Sequence, residues 1–176
     1  MRCFIAIELP EEVKSELREI QDELREVDGM KASFNKDYHI TLRFLGEITE
    51  AQAQKAMKAL AKCRVEKLAP MVSKLGLFPG NGPAKLIWAG IEPEEGIARL
   101  KERIDEALEG IFPKEKGFKA HVTIARVKHS PPRAELIKAL GEVRLEKARF
   151  TIEGFKLIES VLGKDGATYR EIGSYP

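Results

Sequence analysis

Tyr38-His39-Ile40-Thr41-Leu42-Arg43-Phe44-Leu45-Gly46 and Ala120-His121-Val122-Thr123-Ile124-Ala125-Arg126-Val127 are two versions of one pattern, a histidine and a threonine alternating with aliphatic residues. Successive side chains of an extended strand point to opposite faces, so each stretch sends its His and Thr to one side and buries its aliphatics on the other. The chain has three histidines, and two of them head these copies, 82 positions apart. One such strand is ordinary, because a lone His and Thr commonly satisfy each other or the backbone. A repeated pair in matching surroundings asks for another explanation.

The surroundings do match. Before the first copy, Pro10 suits a first helical position, and Val13, Leu17, Ile20, Leu24 and Val27 recur at steps of four and three, an amphipathic helix that Gly29 ends. After it, Thr49 with Gln52 reads as a capping box opening a second helix through Ala53, Met57, Leu60 and Ala61. Extended runs are expected at 72–78 and 85–91, around the turn-rich Pro79-Gly80-Asn81-Gly82-Pro83. The order then repeats. Pro93 opens a helix carrying Ile97, Leu100, Ile104 and Leu108, Gly110 and Pro113 close it, and the second His strand begins near Phe118. A short helix follows Pro131-Pro132, and the tail reads as strands at 148–155, 156–162 and 167–172, the last two joined through Gly163-Lys164-Asp165-Gly166. Two copies of helix, His strand and helix are too few for a solenoid and indicate a duplicated pair with internal pseudo-two-fold symmetry.

Composition narrows the class. A chain of 176 residues with 43% hydrophobic content fits one compact domain, or two small lobes sharing a core. Its 30 Lys and Arg against 28 Asp and Glu leave a net charge of +2, which excludes the broad basic footprint of a duplex-coating protein, so any anion site is local. Cys3 and Cys63 match no metal spacing and no disulfide framework, and are expected to be reduced core thiols. No apolar run approaches a membrane span, and the first residues enter a strand-like run without a cleavable leader, so a cytoplasmic protein is expected. One third of the residues are charged while Asn and Gln are scarce, a balance that leans toward a heat-adapted source.

The chemistry that uses two opposed imidazoles is in-line displacement at phosphorus. One neutral ring accepts the proton of the attacking oxygen, the other, protonated, supplies the departing oxygen, and both tasks suit a group with an ordinary pKa of about 6.5. Charge gathering on the non-bridging oxygens needs preorganised donors, which Thr41 and Thr123 supply two residues along the same face. Arg43, four residues after His39, has matching strand parity and is expected to add a bidentate contact. Arg126, five residues after His121, has the wrong parity for an ideal strand and reaches the site only where the strand bulges or ends. A metal centre is the rival reading, but no third His, Cys pair or carboxylate stands at ligand spacing. His129 is expected in an exposed loop and Trp88 in the core rather than as a base-stacking platform, and Gly80-Asn81-Gly82 lacks the residues that make a phosphate loop.

With these residues in place, the chain resembles the two-histidine phosphoesterases, and within them the RNA 2′,3′-cyclic phosphodiesterases long called 2′-5′ RNA ligases, over nearly its whole length. The resemblance implies an α+β fold in one domain, 1–176, with two lobes, each a small antiparallel sheet backed by helices around a shared groove. It implies opening of an RNA 2′,3′-cyclic phosphate to a 2′-phosphate without metal or cofactor, with His39 as proton donor, His121 as acceptor and Thr41 and Thr123 holding the phosphate. Nothing in the two near-identical motifs themselves assigns acid and base. Ligation of RNA ends such as tRNA halves through a 2′-5′ linkage, and catalytically idle nucleotide or RNA binding, stay open beside hydrolysis. The partner expected is RNA with a cyclic-phosphate end, met by a monomer away from membranes.

Overall fold

The computed structural model describes residues 1–176. In chain order the elements are β1 (Arg2–Glu8), α1 (Glu11–Arg25), β2 (Lys31–Phe34), β3 (His39–Glu47), α2 (Glu50–Leu60), β4 (Met71–Phe78), β5 (Leu86–Glu92), α3 (Glu95–Ala107), β6 (His121–His129), α4 (Arg133–Glu142), β7 (Phe155–Gly163) and β8 (Gly166–Tyr175). Two four-stranded antiparallel sheets result, ordered β3-β1-β7-β8 and β2-β6-β5-β4. The duplication lies in two strand–helix–strand units, β1-α1-β3 and β5-α3-β6, each followed by a further helix.

The α+β bilobal expectation therefore holds, but each lobe is not one half of the sequence. The first sheet joins residues near the start, β1 and β3, to the closing hairpin β7-β8, while β2 from the first half pairs with β6 of the second. Strand β2 has no sequence signature, being four residues with half-buried Ala32 and Phe34 and exposed Lys31 and Ser33. The expected strand at 148–155 does not form, and only single bridges, Leu68 to Ile152 and Met71 to Arg149, occur there. Pro10 sits just before α1 as its N-cap, and α1 ends at Arg25, four residues ahead of Gly29, whose φ of 77° turns the chain. The second His strand starts at His121 itself, three residues later than its hydrophobic pattern implied.

Burial follows the periods. Val13, Leu17, Ile20 and Leu24 of α1 meet Ile5, Ile7, Ile40 and Leu42 in a continuous apolar cluster that also takes in Ile97, Leu100, Ile104, Val122 and Ile124. At roughly 25 cal/mol per Å² of apolar surface removed from water, each such side chain contributes about 1.5–3 kcal/mol, which is what holds helices and both sheets together. The α2 start carries the complete capping box, Thr49 Oγ1 accepting from Gln52 N at 3.1 Å and Gln52 Oε1 accepting from Thr49 N at 2.9 Å. On the other face of β1, Phe4 and Ala6 form a separate small cluster with Ile158 of β7. That face is the floor on which His39 rests.

Candidate active site

Both His strands break their alternation at the same point. In β3, Ala6 pairs with Thr41 and Ile5 with Arg43, leaving Leu42 as an extra residue. In β6, Trp88 pairs with Thr123 and Ile87 with Ala125, leaving Ile124 as an extra residue. A bulge adds one residue and so reverses the facing of everything after it. His39 and Thr41 are half-buried on one side, Leu42 and Arg43 are both buried, and Phe44 is exposed; His121 and Thr123, Ile124 and Ala125, and Arg126 repeat that order.

The parity expectation for Arg43 is therefore overturned. Its side chain is about 1% exposed, donates from Nη1 to Asp105 Oδ1 at 2.7 Å and from Nη2 to the Pro113 carbonyl at 2.6 Å, and so ties β3 to α3 and the segment after it. Lys101, also buried, shares Asp105 at 2.9 Å and reaches Glu115 at 3.0 Å. The bulge moves Arg126 the opposite way, to the exposed side that His121 and Thr123 occupy.

Strands β3 and β6 approach each other across the two sheets. A cavity of about 370 Å³ is lined from both, by Thr41, Arg43 and Phe44 of β3 and by His121 and Thr123 of β6, with Lys116 and Lys119 at its rim. His39 lines a second cavity of about 310 Å³ with Lys36, Tyr169 and Lys156. His39 and Thr41 lie two residues apart on one side of β3, His39 bordering one cavity and Thr41 the other.

A single glutamine braces both motifs. Gln21 of α1 is buried and donates from Nε2 to the Asn35 carbonyl at 2.8 Å and to the carbonyl of Ile124, the bulge residue of β6, at 3.0 Å. Its Oε1 accepts the hydroxyl of Tyr38, the residue before His39, at 2.7 Å. Helical spacing alone puts Gln21 beside the core residues Leu17, Ile20 and Leu24, and only its polarity at a buried position marks it.

The histidines differ in setting. Burial pushes the His39 imidazole below its ordinary pKa of 6.5, and the carboxylates of Asp37 and Glu8 partly offset that. Edge-on contacts with Phe4 at 5.4 Å and Tyr169 at 5.0 Å between ring centroids hold it. His121 instead has Nδ1 at 2.7 Å from the Lys119 carbonyl, a contact that, read as Nδ1–H donating, leaves the Nε2 lone pair free. Trp88 is not core: it is half-buried, paired with Thr123, with its ring centroid 6.4 Å from that of His121. Neither Phe4 nor Tyr169 belongs to a motif, and nothing in the sequence around them signals the site.

His129 closes β6 as an exposed residue paired with Lys31. The Gly80-Asn81-Gly82 turn is occupied by its own chain, since Arg133 donates to the carbonyls of Gly80 and Gly82, each at 2.9 Å. No group of three or more His, Cys, Asp or Glu side chains is arranged to hold a metal ion.

A duplicated α+β chain whose paired His-x-Thr strands border one groove is of the two-histidine phosphoesterase class. It matches the family described as LigT like Phosphoesterase over residues 7–88 and 90–169, and belongs to that family. The RNA 2′,3′-cyclic phosphodiesterase of Archaeoglobus fulgidus is 29% identical over 98% of both chains. That of Thermus thermophilus is 33% identical over 96% of this chain and 86% of its own. A crystal structure of a Thermus thermophilus protein superposes with a TM-score of 0.81 at 31% identity, covering 99% of this chain and 96% of that one. LigT of Escherichia coli in apo form, 18% identical, shares the fold with a TM-score of 0.74 over 98% of this chain and 95% of its own. No helix is long and apolar enough to cross a membrane.

Proposed function

We propose that this chain hydrolyses RNA 2′,3′-cyclic phosphate ends to 2′-phosphates, without a metal, using His39 and His121 as acid and base. The observation that carries the reading is the cavity lined jointly by Thr41, His121 and Thr123, with His39 one strand repeat further along. The names of the relatives from Archaeoglobus fulgidus and Thermus thermophilus agree with it.

In the proposed step, His121 Nε2 takes a proton from water as the oxygen bonds to phosphorus, the P–O3′ bond breaks, and protonated His39 supplies O3′. The free Nε2 lone pair supports the base assignment of His121. His39 then falls to the acid role, and the anionic phosphate beside it counters the burial that disfavours its protonated form. Thr41 and Thr123 donate to the non-bridging oxygens, and Arg126, turned to their side by the bulge, adds positive charge. Arg43, its Nη atoms held by Asp105 and the Pro113 carbonyl, holds β3 in place.

Both motifs come from one chain, which supports a monomer as the working unit, and free buried Cys3 and Cys63 suit the reducing cytoplasm. The test is hydrolysis of RNA ending in a 2′,3′-cyclic phosphate with a chelator present. Wild type should yield the 2′-phosphate, and His39→Ala and His121→Ala should each lose about 10²–10⁴-fold in kcat. Equal turnover by all three proteins refutes the reading.

A further inference from the structure

Trp88 is the sole tryptophan of the chain, and the fold makes room for it to lie flat. An ideal Cβ on Gly76 of the neighbouring strand would stand 2.1 Å from Trp88 Cζ2, so only glycine there lets the indole extend across β4. The indole is half-buried, beside His121, and Lys119 Nζ lies 5.3 Å from its ring centroid. An indole packed against a bare stretch of strand, with a cation above it next to a catalytic imidazole, has the form of a stacking platform for a nucleobase with a phosphate close by.

In-line displacement decides which base it serves. The attacking and departing oxygens lie on opposite sides of phosphorus. Serving O3′ from His39 puts the terminal nucleoside on the His39 side, near Tyr169 and Ile158, which line that cavity. The nucleophile then enters from the His121 side, where Trp88 stands. Resting on the acid–base reading above, we propose that Trp88 and Lys119 form a second nucleoside subsite, taking the nucleoside whose 5′-oxygen occupies the position of the attacking water. With that subsite filled by the downstream half of a 2′-5′-linked diester, His39 accepts the proton of the 3′-hydroxyl, the O3′–P bond forms, the P–O5′ bond breaks, and His121 returns a proton to O5′. The products are a 2′,3′-cyclic phosphate and a 5′-hydroxyl end, and the reverse step joins such ends; no other reactant enters.

The probe is 3′-deoxyadenylyl-(2′→5′)-adenosine, which lacks the attacking hydroxyl and stays intact, with 3′-deoxyadenosine 2′-phosphate as its one-nucleoside control. Trp88 fluorescence is expected to be quenched by the dinucleotide and not by the monophosphate. Calorimetry with Trp88→Leu should show a dinucleotide Kd about tenfold weaker with the monophosphate Kd unchanged. Lys119→Ala should move in the same direction, which keeps the test available should Trp88→Leu fold poorly. Equal quenching by the monophosphate overturns the proposal, because the terminal base then stacks on Trp88. So does a dinucleotide that binds without quenching and is indifferent to both substitutions. A wild type that binds the monophosphate and hydrolyses adenosine 2′,3′-cyclic phosphate shows that such a failure belongs to the subsite; one that does neither overturns the acid–base reading, and the subsite with it.

Discussion

Asp105→Ala separates a structural Arg43 from a ligand-binding one. Asp105 is about 12% exposed and is the carboxylate shared by Arg43 at 2.7 Å and Lys101 at 2.9 Å, both of whose side chains are almost wholly buried. Removing one partner of a buried ion pair costs about 3–5 kcal/mol, because the surviving charge is left uncompensated in low dielectric. Here the loss should fall near the lower end, since Lys101 keeps Glu115 at 3.0 Å and Arg43 keeps the Pro113 carbonyl at 2.6 Å. Arg43 Nε, already buried without a partner, has no reserve to offer. For a domain of this size each kcal/mol shifts Tm by about 2–4 °C, so a loss of about 3 kcal/mol predicts a fall of about 6–12 °C. Thermal unfolding followed by circular dichroism measures it, with cyclic-phosphate hydrolysis assayed well below the variant's Tm. Turnover there should stay within a few-fold of wild type. The reasoning is refuted if Tm is unchanged while Arg43→Met abolishes turnover, for then the guanidinium serves the phosphate after all.

Two further outcomes follow from the same contacts. Gln21→Leu strands the Tyr38 hydroxyl and two backbone carbonyls, and should cost about 1–3 kcal/mol in urea unfolding while lowering kcat, because both motif strands lose a common brace. The pH profile of kcat/KM should bend on one limb below pH 6.5, where burial sets His39, and Asp37→Asn should move that limb lower still, since the Asp37 carboxylate raises the His39 pKa. An upward shift in Asp37→Asn contradicts that account.

Much of the site is legible in the sequence because its signal is local. His39, Thr41, His121 and Thr123 declare themselves through type, alternation and repetition, and the capping box at Thr49 and Gln52 through spacing. Arg43 and Arg126 come out on the wrong faces for one reason: parity counting assumes an unbroken strand, and the bulges at Leu42 and Ile124 reverse it. Trp88 reads as core because an alternating aromatic looks the same on either face, and it is the bare backbone at Gly76, on another strand, that frees its ring.

The sequence by itself determined the duplication, the helices and the four polar residues of the motifs, since all of these arise from interactions within a few positions of the chain. Only the tertiary structure decided that β7-β8 completes the sheet of β1 and β3, that β2 crosses to β6, and that Gln21 holds both motifs at once. Those pairings join residues as distant in the chain as Arg2 and Ser160, where the choice among partners depends on which whole packing buries the most apolar surface with every strand paired, a sum no local window contains.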